Sequence, residues 1–319
     1  MSTTVSRSRA ALPRLKPGWL QSYGVYVALV AIIVVNIVIS DNFVTVANLR
    51  LQLVQAVPVL IIGLGMALVI GTEGIDLSVG SVMAIAAALL PLYLGYGLVP
   101  ALVVGLAAGV ATGLLGGWLV SVVGVQPIVA TLAILVGGRG LATVIGGTQK
   151  TIYDPTLLDI GSNEVFGIPI TVLVAFILVA IVAFVVQRTT FGRQVVAVGG
   201  NRIASELAGL PVRRVLLWVY VISGVLAALA GILATARLTA STPNSIGLNI
   251  ELAAITAVVV GGTPLTGGRV RVIGTVAGAL VMQLLISTLI AQNLPDSVAQ
   301  MVQAGIIVVA VYVQRGRRS

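Results

Sequence analysis

The stretch VIGTEGIDLSVGS, residues 69–81, places two carboxylates, Glu73 and Asp76, between two long apolar runs of the chain. Only 8% of the 319 residues are charged, so these acids interrupt a strongly apolar pattern. An unpaired carboxylate is costly in hydrocarbon, and non-helical backbone is tolerated at membrane depth only where protein or a water-filled cavity surrounds it. The stretch therefore predicts a helix that is broken beside a polar site, with the neighbouring glycines permitting the break.

The composition is that of a polytopic membrane protein. Hydrophobic residues make up 58% of the chain and the mean hydropathy is +1.14, whereas a soluble domain is about 45–50% apolar and about 25% charged. The chain has no cysteine and no histidine, which excludes disulfides, thiolate chemistry and histidine general bases. The formal net charge of +9 is concentrated at the ends of apolar segments, which favours the positive-inside pattern over nucleic-acid binding.

Apolar segments of membrane-spanning length run almost from end to end of the chain. Because a bilayer core of about 30 Å takes about 20 residues as a helix, we predict an all-α fold: a polytopic membrane bundle of about ten transmembrane helices, with broken helices and a candidate internal repeat. The predicted spans are residues 20–40, 51–71, 77–95, 98–123, 127–146, 168–187, 212–236, 249–262, 271–291 and 297–314. The eighth is short for a complete crossing.

An even number of spans places both termini on the same side of the membrane. With cytoplasmic termini, most of the Lys and Arg residues lie inside, as the positive-inside rule expects. The short segment between the second and third spans is then an inner turn. The predicted organisation is a cytoplasmic tail (1–19), a transmembrane domain (20–314) with a long inner loop (188–211), and a second cytoplasmic tail (315–319).

The long inner loop contains the signals of a short helix. Gly199 and Gly200 break the chain, and Asn201 is a good N-cap. Arg202 and Glu206 have i,i+4 spacing, and Gly209 suits the left-handed end of a helix. A helix of about eight residues is not stable by itself. It must dock on its own bundle, on lipid headgroups or in the groove of a separate cytoplasmic protein.

Two further features have a structural interpretation. Glycines at 105, 109, 113 and 117 form a stripe that predicts close helix packing rather than a transport role. The longest predicted outer loop, residues 147–167, is polar and rich in turn signals, and is either a solvated connector or a surface for an external partner.

Four blocks of sequence carry a resemblance to a known family. They are GTEGIDLSVGSVMAIAAAL (71–89), QPIVATLAILVGGRGLATVIGG (126–147), TTFGRQVVAVGGNRIASELAGLPV (189–212) and LAAITAVVVGGTPLTGGRVRVIGTVAGALV (252–281). In this order they resemble the permease subunits of bacterial ABC importers of the ribose/xylose/arabinose type, within the branched-chain amino-acid permease superfamily. The chain departs from the family pattern at Glu73, where a glycine is common, and near 267–270, where a Gly-Gly-x-Gly run is common and this chain has Gly-Gly-Arg-Val.

The resemblance implies a transporter subunit, not an enzyme, that needs no cofactor and no metal. Two permease chains, the same or related, would form a pathway for a monosaccharide through the bacterial inner membrane. A periplasmic solute-binding protein would deliver the sugar, and a separate ABC ATPase would drive transport. The chain has no G-x-x-x-x-G-K-[ST] motif, which agrees with ATP being bound elsewhere.

The resemblance also implies that the short inner helix is the coupling helix seated on the ATPase. The residues that it assigns to coupling are Gly199, Gly200, Asn201, Arg202, Ser205, Glu206, Leu207 and Gly209.

The translocation pathway or its gate is predicted beside the polar residues that interrupt apolar spans. They are Glu73, Asp76, Ser78, Arg139, Asn244, Asn249 and Glu251. Asp76 or Ser78 can cap the helix that starts near Leu77, and the alternative is that 72–76 is an ordinary inner turn. An arginine inside a span needs an internal partner, and Glu73 or Glu251 is the predicted partner of Arg139.

Some alternatives remain open. The stretch GGTPLTGGRVRVIGTVAGAL, residues 261–280, repeats the order of apolar run, glycine-rich break and helix, and is the candidate partner of the opening stretch in an internal repeat. The cargo is a monosaccharide or another small solute, such as a branched-chain amino acid or a nucleoside. An ion-driven secondary carrier is the alternative mechanism, whereas no arrangement of residues suggests an intramembrane enzyme.

Overall fold

The computed structural model describes residues 19–40 and 42–315, and most of the two predicted tails lies outside the described residues. The described part is predominantly helical, with few strands. Its helices are α1 (Trp19–Ile39), α2 (Val46–Gly71), α3 (Val79–Tyr93), α4 (Leu98–Trp118), α5 (Pro127–Gly146), α6 (Pro155–Ser162), α7 (Ile170–Arg188), α8 (Thr190–Gly200), α9 (Arg202–Leu207), α10 (Val212–Leu238), α11 (Ile250–Val260), α12 (Val272–Ala291) and α13 (Asp296–Arg315). Two-residue strands form two antiparallel pairs, β1 (Lys150–Thr151) with β4 (Ala240–Ser241) and β2 (Glu164–Val165) with β3 (Ile168–Pro169).

The predicted all-α membrane bundle is confirmed, but the count of ten spans is not. Among the described residues, seven helical stretches are long and apolar enough to cross a membrane. They are Val46–Gly71, Val79–Tyr96, Leu98–Val123, Pro127–Gly146, Ile170–Arg188, Val212–Leu238 and Val272–Ala291. The apolar parts of α1 and α11 are shorter.

Helix α10 is the centre of the bundle and packs against α2, α3 and α4. The four glycines of the predicted stripe on α4 are all buried. A Cβ atom on Gly113 would lie only 2.6 Å from the carbonyl oxygen of Tyr220 in α10. The stripe therefore lets two helix backbones touch, which confirms its interpretation as a packing surface.

The bundle has two distinct ends. At the first, which we call the α9 end, α8 and α9 connect α7 to α10. At the second, the α6 end, α6 packs against α10 and β1 pairs with β4. In the predicted topology the α9 end is cytoplasmic.

Two helices begin inside the bundle instead of at its ends. Helix α11 has 11 residues and α3 has 15, or about 16 Å and about 22 Å at 1.5 Å per residue. Non-helical backbone completes both crossings: residues 72–78 lead into α3 from the α9 end, and residues 242–249 lead into α11 from the α6 end. The glycine-rich break predicted within 261–280 is present as the non-helical residues 261–271 between α11 and α12. The segment 242–249 is a further break that was not predicted, and the internal repeat stays a prediction.

The predicted outer loop contains a helix that sequence reasoning missed. Asp154 caps α6: its Oδ1 accepts hydrogen bonds from the Thr156 hydroxyl at 2.5 Å and from the backbone N–H of Leu157 at 2.9 Å. The side chain of Leu157 is completely buried. This loop is therefore part of the packed fold as well as a connector.

We expect Asp154→Ala to weaken the amide protection of α6 by about 1 kcal/mol, the usual value of an N-cap. The hydrogen bond from Thr156 and the N–H of Leu157 hold the pKa of the Asp154 carboxyl below its ordinary value. A lowered folded-state pKa means that the cap stabilises α6 above the unfolded pKa and is lost as the pH falls through the folded one. Hydrogen exchange of α6 against pH measures both effects. Asp159→Ala, on the exposed side of α6, is the control, and equal effects of the two substitutions would contradict the assignment.

Candidate translocation site

Asp76 is the buried centre of the first non-helical segment, and its side chain is 2% exposed. Its Oδ1 accepts hydrogen bonds from the backbone N–H of Ser78 at 3.0 Å and from the Ser78 hydroxyl at 2.6 Å. Its Oδ2 accepts one from the hydroxyl of Ser223 at 2.7 Å. Ser223 lies 11 residues past the start of α10, about 17 Å along its axis. Residues 72–74 form a turn at the α9 end, and Asp76 reaches from it into the bundle interior.

Neither predicted side chain caps α3: Ser78 holds the N-cap position, and Asp76 accepts from the backbone N–H of Ser78 itself, one residue before the helix. The Ser78 side chain makes no capping hydrogen bond of its own and instead donates to Asp76. Helix α3 starts at Val79, two residues later than predicted, because the Asp76 carboxylate holds the backbone N–H of Ser78 in a turn.

We expect Asp76→Ala to lower stability more than Ser223→Ala. The first substitution leaves three hydrogen-bonding groups without their partner, whereas the second removes one hydrogen bond, worth about 0.5–1.5 kcal/mol. Because Asp76 and Ser223 share one hydrogen bond, the double variant should lose less stability than the sum of the losses in the two single variants. Thermal unfolding in detergent tests this, and strictly additive losses would contradict the network.

Arg139 of α5 holds the second non-helical segment in place. Its Nη1 donates to the carbonyl oxygens of Ile246 at 2.7 Å and Pro243 at 3.3 Å. Its Nη2 donates to the carbonyl oxygen of Gly247 at 2.9 Å. One guanidinium thus satisfies three carbonyls that no helix satisfies, which is how irregular backbone becomes tolerable at membrane depth.

The predicted ion pair of Arg139 is not what the described residues show. No carboxylate lies within ion-pair distance of Arg139 among them. Glu251 is near enough to interact electrostatically with Arg139, but Glu73 is exposed at the α9 end and lies beside Gly267. Carbonyl groups, which no sequence pattern marks as partners, take the role predicted for a carboxylate.

Glu251 lies where the two broken crossings meet. It is 8% exposed in the first turn of α11, and its Oε2 has no hydrogen-bond partner among the described residues. A Cβ atom on Gly80 of α3 would lie 2.6 Å from this oxygen and 2.5 Å from the carbonyl oxygen of Gly247. A side chain at position 80 would therefore separate α3 from α11.

The two predicted asparagines border this meeting point. Asn244 is exposed, and its Oδ1 accepts a hydrogen bond from the Thr143 hydroxyl of α5 at 2.9 Å. Asn249 is exposed at the start of α11 with a left-handed backbone, φ 58°. The structure therefore gathers Asn244, Asn249, Arg139 and Glu251 along one segment.

Helix α5 connects the two non-helical segments. The hydroxyl of Thr131 donates to the carbonyl oxygen of Ile75 at 3.2 Å, and the hydroxyl of Ser81 in α3 donates to the carbonyl oxygen of Ile134 at 3.3 Å. Sequence reasoning missed Thr131 and Ser81; their one signal was a hydroxyl within an apolar span. Through α5 the position of Asp76 is linked to that of Arg139.

The short helix predicted in the inner loop is present as α9. The Oδ1 of Asn201 accepts a hydrogen bond from the backbone N–H of Ala204 at 2.9 Å, which confirms the N-cap. Arg202 and Glu206 form the i,i+4 ion pair at 3.6 Å, and Gly209 has a φ of +78°. These local predictions are confirmed.

The surroundings of α9 differ from the prediction. Gly199 and Gly200 do not stand in a break, because they form the last turn of α8, a helix that was not predicted. Ser205 is buried. Ile203 and Leu207, four residues apart on one face, are 72% and 85% exposed.

Comparison with known proteins places the chain in a family. Residues 48–311 match the family described as branched-chain amino acid transport system / permease component. The chain therefore belongs to this permease family, and it is a multi-pass membrane protein by its helices.

Several curated relatives cover most of the chain. It is 35% identical over 316 residues to the galactofuranose transporter permease protein of Escherichia coli K12, covering 96% of this chain and 93% of that protein. It is 35% identical over 308 residues to the ribose import permease protein of the same strain, covering 94% and 95%. It is 40% identical over 238 residues to the fructose import permease protein of Bifidobacterium longum NCC 2705, covering 72% and 67%. No solved structure has significant similarity to the chain.

Proposed function

We propose that the chain is the permease subunit of an ABC importer and forms the translocation pathway for a monosaccharide. The observation that carries this proposal is the meeting of two broken crossings inside an apolar bundle, where Gly80 in the first turn of α3 touches Gly247 in the second non-helical segment. Discontinuous helices with polar groups at this depth are typical of transport sites. The names of the relatives, which are permeases for galactofuranose, ribose and fructose, support a sugar as the cargo.

The polar groups at this meeting point suit a neutral polyol. Sugar hydroxyls both donate and accept, so they can pair with the amides of Asn244 and Asn249 and with Oε2 of Glu251, which has no partner in the described part of the chain. Aromatic residues, which stack on sugar rings, make up only 5% of the chain. A pathway with few aromatic faces binds sugar weakly, which suits a permease that receives cargo from a tight periplasmic binding protein and then releases it.

A second permease chain, the same or related, completes the pathway in this proposal. Asn244 and Asn249 are exposed and Arg139 is half-buried on the single chain. Polar and charged side chains at membrane depth face protein or water rather than lipid. A second chain placed over this face encloses them in an aqueous route.

The α9 end is the cytoplasmic side in this proposal, and α9 is the coupling helix. A helix of six residues needs a docking partner to be stable, and its exposed Ile203 and Leu207 fit the helix-in-groove mode of recognition. The partner is an ABC ATPase, and the proposed coupling segment runs from Gly199 to Gly209.

The protein lies in the bacterial inner membrane in this proposal, with both termini in the cytoplasm.

Competition for uptake tests the cargo. Proteoliposomes that contain the complete transporter are supplied with one labelled monosaccharide at a time, D-ribose, D-fructose or D-allose, and then with unlabelled competitors. We expect monosaccharides to be accumulated and to compete with each other, and leucine and adenosine to have no effect. Accumulation of leucine or adenosine without any sugar uptake would favour the alternative permease for another solute.

A further inference from the structure

Three separate backbone segments touch at the α9 end, and we call this contact the glycine junction: Gly71, Gly199, Gly267 and Gly268. The backbone N–H of Gly268 donates to the carbonyl oxygen of Gly71 at 3.0 Å. A Cβ atom on Gly199 would lie 2.7 Å from the nitrogen of Gly268 and 2.8 Å from the carbonyl carbon of Gly71. The three backbones are thus in direct contact, and a side chain at 199 would force them apart.

Each segment of the glycine junction leads to a different structural element: the first broken crossing, the second broken crossing or α9. Gly71 ends α2 and leads into the non-helical segment 72–78, which contains Asp76. Gly267 and Gly268 lie in the loop between α11 and α12, so they follow the second broken crossing. Gly199 is separated from α9 only by Gly200 and the N-cap Asn201.

The connections on both sides of the glycine junction are short and packed. On the α8 side, Val195 and Val198 are buried, and a Cβ atom on Gly71 would lie 3.3 Å from Cγ1 of Val195. On the other side, a Cβ atom on Gly267 would lie 3.1 Å from the Cβ of Glu73. Only Gly74 and Ile75 then separate Glu73 from Asp76.

The neighbouring Gly200 touches this contact only with its backbone, since a Cβ atom on Gly268 would lie 3.1 Å from the Cα of Gly200. No atom lies within 4 Å of the Cβ position of Gly200, although Gly199 and Gly200 are consecutive residues of α8. The two glycines that the sequence assigns together to coupling therefore have different surroundings. Gly199 faces the glycine junction, and Gly200 faces open space.

We propose that the glycine junction transmits movement of α9 to both broken crossings at once, with Gly199 as the positioning residue. This inference rests on the proposed role of α9 as the coupling helix. A displacement of α9 moves the backbone of Gly199, which bears on Gly71 and Gly268 together. Movement of Gly71 is passed to Asp76, and through the hydrogen bond between Ile75 and Thr131 to α5. Movement of Gly268 is passed to α11 and Glu251.

The test compares Gly199→Ala with Gly24→Ala in the complete transporter, reconstituted with its ATPase and binding protein. Gly24 lies in α1, outside the proposed coupling segment, and no atom of another element lies within 4 Å of its Cβ position. The readouts are the amount of ATPase that copurifies, the rate of ATP hydrolysis, and the uptake of labelled D-ribose, D-fructose or D-allose. We expect Gly199→Ala to retain the ATPase and its hydrolysis while uptake per ATP falls roughly tenfold or more, within the usual range of a coupling energy. Gly24→Ala should stay within about twofold of the wild type on every readout.

A normal ratio of uptake to hydrolysis in Gly199→Ala would overturn the inference while leaving the proposed function intact. Failure of the proposed function would instead show in the wild type, as a permease that retains no ATPase or needs no ATP for uptake. The two failures are therefore distinguishable.

A second measurement uses only the wild-type transporter, so it does not depend on how any variant folds. Hydrogen exchange is followed with and without a non-hydrolysable ATP analogue. We expect residues 70–76 and 262–270 to change protection together with 198–207. A change confined to 201–210 would contradict the proposed link.

Discussion

Leu207→Asp is expected to remove the ATPase from the purified permease, with the bound amount falling roughly tenfold or more. Leu207 is 85% exposed on the single chain and lies on the same face of α9 as Ile203. In the proposed complex this face is buried in a groove of the ATPase, where burial of a leucine contributes about 1.5–3 kcal/mol. An aspartate there loses that contribution and places an unpaired carboxylate in an apolar site. Affinity purification of the permease from membranes that contain both proteins gives the measurement.

Phe166→Asp is the matched control, because Phe166 is completely exposed at the α6 end. It removes an exposed apolar side chain and adds the same charge, but on the side that the account assigns to the periplasm. ATPase binding should be unchanged. Size-exclusion profiles of both variants show whether the bundle is intact, and full ATPase binding by an intact Leu207→Asp variant would contradict the assignment of α9.

Arg139→Ala is expected to lower uptake roughly a hundredfold and to destabilise the bundle. The substitution leaves the carbonyl groups of Pro243, Ile246 and Gly247 without their donors, and an unsatisfied buried polar group costs about 1–3 kcal/mol. Arg139→Lys keeps the charge but lacks the forked donor geometry. It should therefore fall between the alanine variant and the wild type, both in thermal stability and in uptake.

Arg50→Ala is the control for the loss of an arginine. Arg50 also has a close partner, Glu164 at 2.7 Å, but both side chains of this pair are substantially exposed, and such a pair is worth less than about 1 kcal/mol. Uptake by this variant should remain near that of the wild type. Wild-type uptake and stability in Arg139→Lys would contradict the claim that the guanidinium fork holds residues 242–249.

The features predicted best from sequence are those determined by residues close together in the chain. The N-cap Asn201, the Arg202–Glu206 pair and the left-handed Gly209 all depend on partners within four residues. The break at 71–78 was predicted because charge and glycine occur together in an apolar run. The helix period and the run lengths sufficed for the all-α membrane class.

The features that sequence reasoning missed depend on partners far apart in the chain. Asp76 and Ser223 are 147 residues apart, and Arg139 and Gly247 are 108 apart. Gly199 contacts the backbones of two distant segments, and nothing in its own neighbourhood distinguishes it from Gly200. Residues 242–249 contain turn signals that suit a surface connector equally well, so their entry into the bundle follows only from the partners that Arg139 provides.

Energy coupling tests the central claim most directly. Proteoliposomes receive either the permease alone or the permease with its ATPase and binding protein, and labelled sugar is measured against its gradient with ATP, without ATP, and with a hydrolysis-deficient ATPase. The account predicts uphill accumulation only with the complete transporter and hydrolysable ATP. Uphill accumulation by the permease alone, driven by a proton or sodium gradient, would show an ion-driven carrier and contradict the account.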